Sequence, residues 1–250
     1  MAAAKTVTTT ELTDRQVKLL RAVIEEYIST SEPVGSQNLV ERYNLKVSPA
    51  TVRNEMAELM RLNYLTQPHT SGGRTPTDLG LRYYINSLME EAELPVLQEV
   101  SLKQRLWQER FELDKMLRQA VLGLSEVTSL IAVVHLDDNR LFSSGMSKVL
   151  DYPEFFDIDV TRAALHLCDD YDLCKELFAK AEDKRELTVL IGEETGLSNL
   201  KTCGLVLSPF TAGKKRGVVG VLGPARMRYS QVIPAVRYIG KLLSEVGQSW

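Results

Sequence analysis

Ser48 followed by Pro49 fixes where one helix of this chain begins and, with it, the phase of every residue that helix carries. Proline at the first helical position gives up only an amide that would have had no partner, and the serine before it can cap the amides that remain. The apolar spacing predicts a helix running to about Asn63. With Val52 at zero and about 100° per residue, Met56 and Leu59 fall within about 40° of it and form the core side. Ala50, Asn54, Ala57 and Arg61 then lie opposite, flanked by Thr51, Arg53 and Glu58. Two further helices precede this one. Thr13 with Gln16 has the spacing of a capping box ahead of Val17, Leu20, Ile24, Tyr27 and Ile28, and Ser36 can cap a short helix bearing Leu39, Val40 and Tyr43. After a polar turn over Asn44 to Val47 comes the Ser-Pro helix. A short strand follows over Tyr64 to Gln67, then a hairpin tip over Pro68 to Pro76 and a fourth helix capped by Thr77 and ending near Glu90. This order is that of a winged helix-turn-helix.

The outward face of the third helix has the composition a major groove accepts. Two alanines let the backbone approach and touch thymine methyls, Asn54 can pair with an adenine edge, and Arg61 can reach phosphate or guanine. The helix start offers amides to a phosphate. Across the chain 30 basic side chains face 33 acidic ones, which excludes a polycation that coats nucleic acid by charge alone. Residues 42 to 82 run against that total. They carry Arg42, Lys46, Arg53, Arg61, Arg74 and Arg82 against Glu55, Glu58 and Asp78. In the hairpin His69-Thr70-Ser71-Gly72-Gly73-Arg74 the glycines permit a tight turn, and Arg74 at its tip would reach the DNA backbone or minor groove. The candidate DNA-binding residues are Ser36, Ser48, Ala50, Thr51, Arg53, Asn54, Ala57, Arg61, His69, Ser71, Gly73, Arg74, Thr77 and Arg82. Winged helices also bind protein, so fold alone does not establish DNA readout.

A length of 250 residues fits one large or two modest domains. After Pro95 the pattern predicts a long helix over about Gln98 to Ser125, with Leu102, Leu106, Leu113, Leu117 and Leu124 forming a stripe that packs on its own domain or on a second copy. Strands are expected at Leu130 to Leu136, near Leu141, at Leu187 to Gly192, Gly204 to Phe210 and Val218 to Leu222. Helices are expected at about Val160 to Ala181 and Val232 to Val246. The interleaving indicates an α+β or α/β domain. No run of apolar residues is long enough to span a membrane, and the first ten residues lack the apolar stretch of a signal peptide, so the expectation is a cytoplasmic protein.

Enzyme-like features have structural readings. His166 and Cys168 lie about 200° apart on a helix, and only Cys174 joins His166, which favours buried helix residues over a metal site. Gly217, Gly220 and Gly223 mimic a phosphate loop, yet they sit in a strand pattern closed by Pro224. Asp137 and Asp138 fit a turn between strands. Arg226 and Arg228, next to Tyr229, suit either an exposed anion or partner site or a solvated turn. No catalytic residue, cofactor or metal is expected.

The run PATVRNEMAELMRLNYLTQPHTSGGR resembles the N-terminal domain of the HrcA family, bacterial heat-inducible transcription repressors. IGEE at 191 to 194 and LVLSPFTAGKKRGVVGVLGPARMRYSQVIPAVRYIGKLLSEV at 205 to 246 resemble that family's GAF-like C-terminal domain. Leu79 stands where the family usually has lysine, and after Val134 the chain jumps to a segment that normally follows a much longer stretch. The resemblance implies an α+β protein: a disordered tail over 1–10, a winged helix-turn-helix domain over 11–92, a linker and dimerisation helix over 93–126, and a reduced GAF-like regulatory domain over 127–250. It further implies a homodimer on a double-stranded inverted-repeat operator ahead of chaperone genes, with activity dependent on the chaperonin GroEL. Symmetric half-sites themselves favour a dimer. Two alternatives remain: a winged-helix repressor whose GAF-like domain senses a small molecule, and a protein-interaction module that no longer reads DNA.

Overall fold

The computed structural model describes residues 12–43, 47–68, 72–182 and 187–247. The expected tail over 1–10, most of the expected turn at 44–47 and the hairpin tip at 69–71 lie outside these. The chain forms two compact units, Met1–Met89 and Glu90–Trp250, and its secondary structure is a mixture of helix and sheet.

In the first unit α1 spans Asp14–Thr30, α2 Ser36–Tyr43 and α3 Pro49–Arg61. Thr13 and Gln16 form the capping box at α1: the Thr13 hydroxyl accepts from the Gln16 amide at 3.3 Å and the Gln16 side chain accepts from the Thr13 amide at 3.0 Å. Ser36 is not a cap. It is the first residue of α2, and the carbonyl before it, on Gly35, accepts from the Leu39 amide at 3.3 Å. Ser48 caps α3 through a 3.1 Å bond from the Thr51 amide. The helix closes at Asn63, whose φ of 62° lets the Tyr64 amide turn back to the Leu59 carbonyl. The strands β1 (Leu65–Thr66) and β2 (Thr75–Pro76) pair antiparallel. A third stretch of backbone joins them: the Val34 and Arg74 amides and carbonyls bond reciprocally at 2.8 and 2.9 Å. Helix α4 covers Asp78–Tyr83 and widens into one π-helical stretch over Tyr84–Leu88, so the regular helix ends earlier than the pattern predicts.

The second unit opens with α5 (Val96–Gln108) and α6 (Leu113–Thr128), which corrects the single long helix expected from the leucine stripe. These two fold back on each other. A side chain at Gly123 would meet Leu102 at 2.5 Å, and Arg105 pairs with Glu126 at 2.7 Å, whereas 21 residues of continuous helix would separate Leu102 from Gly123 by about 32 Å. Both helices pack into this unit, α6 against the sheet and α5 against the last helix. The sheet is wholly antiparallel, in the order β4 (Leu141–Ser144), β3 (Ile131–Leu136), β7 (Lys215–Pro224), β6 (Cys203–Ala212), β5 (Thr188–Ile191). Helices α6 and α9 (Tyr229–Val246) cover one face, while α7 (Ile158–Asp169) and α8 (Tyr171–Glu182) cover the other. With both faces covered, β3 is buried at all six positions, which explains an apolar run interrupted only by His135. The helix expected over 160–181 is likewise two, separated at Asp170, whose carboxylate accepts from the Leu173 amide at 3.0 Å.

Candidate nucleic-acid interface

Val52, Met56 and Leu59 are buried, and the helix phase set by Ser48 and Pro49 therefore turns Ala50, Arg53, Asn54, Ala57 and Arg61 outward, all exposed. Thr51 is half-buried at the start of the helix, its hydroxyl 3.0 Å from that of Ser48. The first half of α3 thus presents two small residues, an amide side chain and a guanidinium on one surface. Among the described residues Arg53 forms no ion pair.

Arg61 is different. Its guanidinium grips Glu58, one turn earlier, through three contacts of 3.1, 3.0 and 2.6 Å. The mutual hydrogen bonding lowers the Glu58 carboxyl below its ordinary value and raises the guanidinium. A second arginine, Arg15 of α1, pairs with Glu55 of α3. The Glu58 pair has the i,i+3 spacing that makes it readable in the sequence. The Arg15 pair joins residues 40 apart and leaves no local signal.

The hairpin departs from expectation. Arg74 is not at its tip: it stands at the base, half-buried, its backbone tied to Val34 and its guanidinium turned back to the Gly72 carbonyl at 3.2 Å. Gly73 serves close approach rather than a tight turn, since a Cβ there would sit 2.5 Å from the Pro33 carbonyl. Thr77 is committed to structure, accepting from the Gly80 amide at 3.0 Å and donating to the Asn63 carbonyl at 2.6 Å. Ser36 on α2 and Arg82 on α4 are half-buried. His69 and Ser71 lie outside the described residues.

The enzyme-like features are structural. Cys168, Cys174 and Cys203 are buried, and burial pushes the Cys168 and Cys203 thiols to about 12, far from reactive thiolates. His166 is exposed and faces Asp170 at 3.6 Å. No cluster suited to a metal occurs among the described residues. A side chain at Gly217, Gly220 or Gly223 would collide with Phe210, Leu207 or Leu130 respectively, each within 2.6 Å. Asp138 is held by Arg140 and Lys215 at 2.6 and 2.7 Å, and those bonds draw its carboxyl far below the usual carboxylate range. Arg226 is not an exposed anion site: it is buried, bonded to Glu154 at 2.6 and 3.1 Å.

The family profile described as the HrcA protein C terminal domain matches residues 77–233, well over half of the chain. The chain belongs to the HrcA family. Relatives named heat-inducible transcription repressor HrcA include one from Acetivibrio thermocellus, 26% identical over 336 aligned positions that take in 94% of this chain and 96% of the relative. One from Moorella thermoacetica is 29% identical over 334, covering 93% and 97%. Since 94% of 250 residues is about 235, about a hundred of those 336 positions have no residue in this HrcA-family chain. In fold it resembles a hypothetical protein of known crystal structure, with a TM-score of 0.77 at 20% identity over 96% of this chain and 99% of that one. No described helix is long and apolar enough to cross a membrane.

Proposed function

We propose that the chain is a transcription repressor whose first unit is a winged helix-turn-helix reading an inverted-repeat operator ahead of heat-shock genes. The observation that carries this is the division of α3: Val52, Met56 and Leu59 buried, Ala50, Arg53, Asn54 and Ala57 exposed, on a chain whose relatives are named heat-inducible transcription repressors. Asn54 and Arg53 take the base-reading roles. The Ser48-capped helix start, with Thr51, takes a phosphate. The hairpin at 69–74 lies beside the minor groove, with Gly73 and Thr77 holding its base rather than touching DNA. Arg82, Arg74 and Ser36 complete the backbone-facing set.

The second unit we assign to a GAF-like fold with dimerising and regulatory roles, on the strength of its five-stranded antiparallel sheet between helix pairs. Of the two settings open to the leucine stripe, its own domain or a second copy, the buried positions of Leu102, Leu106, Leu113, Leu117 and Leu124 within the unit favour the first. The surface open to a second copy is the outer side of α5, where Leu97, Val100 and Trp107 are 85%, 57% and 54% exposed at helical spacing, together with Phe111 in the turn after it, 73% exposed. An apolar stripe of that size on a soluble chain favours a partner, and a two-fold axis supplies a second copy. Dependence on the chaperonin GroEL and a cytoplasmic setting follow from the family alone.

The test is a fluorescence-anisotropy titration of the full chain against an inverted repeat from its own upstream region and against a scrambled duplex. Preference for the repeat by about a thousandfold or more is the expected outcome. Equal affinity for both removes the operator-reading role. Adding GroEL should raise the operator-bound fraction.

A further inference from the structure

Three arginines project around α3, and two of them are held by glutamates of that same helix: Arg61 by Glu58 and Arg15 by Glu55. The Arg61–Glu58 pair is exposed on both sides, at 67% and 40%, so it is not needed to neutralise a buried charge, whereas Glu55, at 14%, is largely buried and Arg15 offsets its charge. Glu58 sits one turn before Arg61, on the flank of the outward face, and its bidentate grip fixes the fork in which a phosphate would otherwise sit.

We propose that Glu58 is a specificity-determining residue that acts through Arg61, keeping that cation from contributing to sequence-independent attraction for the DNA backbone. The inference rests on the DNA-binding reading above and deepens it. On non-cognate DNA a protein is held by phosphates, and each additional phosphate contact counts in full: the salt dependence steepens by roughly 0.9 per contact, which is about five-fold in affinity at about 0.15 M salt. On the operator, α3 is positioned by base contacts from its first half. Arg61 is the last residue of the helix, seven residues or about 10 Å along the axis from Asn54, and it stays paired with Glu58 without loss. Holding Arg61 therefore weakens wrong-site binding more than right-site binding.

The experiment titrates the wild-type chain, Glu58→Gln, Arg61→Gln and the double variant against the inverted-repeat and scrambled duplexes over a range of salt. Glu58→Gln should bind scrambled DNA about five-fold more tightly, with a salt slope steeper by about one, and the operator less than two-fold more tightly. In the Arg61→Gln background the same substitution should change scrambled affinity little. A gain that persists without Arg61 means that Glu58 merely repels phosphate, and overturns the proposal. So does a gain equal on both duplexes. If the wild-type chain itself fails to prefer the repeat, the DNA-reading function falls first and this inference with it, whereas a wild-type preference left unaltered by Glu58→Gln sinks this inference alone.

Discussion

Gly73→Ala should unfasten the hairpin from the first unit. A Cβ on Gly73 would lie 2.5 Å from the Pro33 carbonyl carbon and oxygen and 2.6 Å from the Val34 carbonyl carbon, where ordinary contact begins at 3.4 Å. All three are backbone atoms, so no side chain can swing aside, and the hairpin must retreat by about 1 Å. The reciprocal Val34–Arg74 bonds of 2.8 and 2.9 Å then stretch to nearly 4 Å and are lost. Two such bonds are worth about 1–3 kcal/mol together, and opening the contact also uncovers Val34, so the expected cost is about 2–4 kcal/mol. The two tryptophans provide a clean assay. Trp107 belongs to the second unit and Trp250 lies outside the described residues, so no tryptophan reports on the first unit, while far-ultraviolet circular dichroism follows both units. In urea the variant should lose dichroism at a lower midpoint and keep the wild-type fluorescence transition. If the stability derived from the dichroism transition stays within about 0.5 kcal/mol of wild type, or both signals move together, the close-approach role of Gly73 is refuted.

The other expectations concern separate parts of the chain. Asn54→Ala should weaken operator binding by about 1–3 kcal/mol and leave scrambled DNA nearly unaffected; equal losses on both would deny it a base contact. His135 is buried beneath Tyr171 and Phe178 of α8, with neither ring nitrogen bonded, and burial, aided by Lys175 and opposed by Asp137, lowers its pKa. The neutral ring is then the folded form. Stability is complete above the unfolded value of about 6.5 and falls, as pH drops through the folded value, by up to about 1.4 kcal/mol per unit. His135→Phe should flatten that acid slope in fluorescence-detected urea titrations between pH 7.5 and 5.5, and parallel curves would contradict it. Arg226→Met leaves Glu154 without its buried partner and should cost about 3–5 kcal/mol, much of it recovered when Glu154→Leu is added. A double variant as unstable as the single one would mean that the arginine matters for packing and not for charge.

How far the fold could be read from the sequence depended on whether a residue's structural partner lay near it along the chain. The phase of α3 was legible because its cap, its proline and its apolar triad all fall within 12 residues. The capping box on α1 and the cap at Thr77 were legible for the same reason. The breaks within the two long helical stretches were not. Leu102, Leu106, Leu113, Leu117 and Leu124 fit one helical period, and neither proline nor glycine interrupts Glu109 to Glu112. The reversal there is set by packing between Leu102 and Gly123, a pairing that periodicity does not encode. At the candidate interface the outward residues of α3 were readable, but the position of Arg74 was not. It is fixed by Val34, 40 residues away, in a single bridge too short to give a strand pattern.

Pro234 joins the two kinds of signal. A proline deep inside a helix removes one bond of the ladder, and the expected helix start at about Val232 would leave Pro234 within the first turn. Helix α9 nevertheless starts at Tyr229 and carries Pro234 in its interior. The bond that proline cannot make would run to the Ser230 carbonyl, and that carbonyl accepts instead from the Ala92 amide at 2.9 Å. Glu91 beside it pairs with Arg237, one turn beyond the proline, a bond that lowers the Glu91 carboxyl. The break in the ladder is thus a docking point for the first residues after the boundary at Met89. A local rule that predicted disruption was right about the missing bond. Its consequence differed, because the freed acceptor was satisfied from more than a hundred residues away.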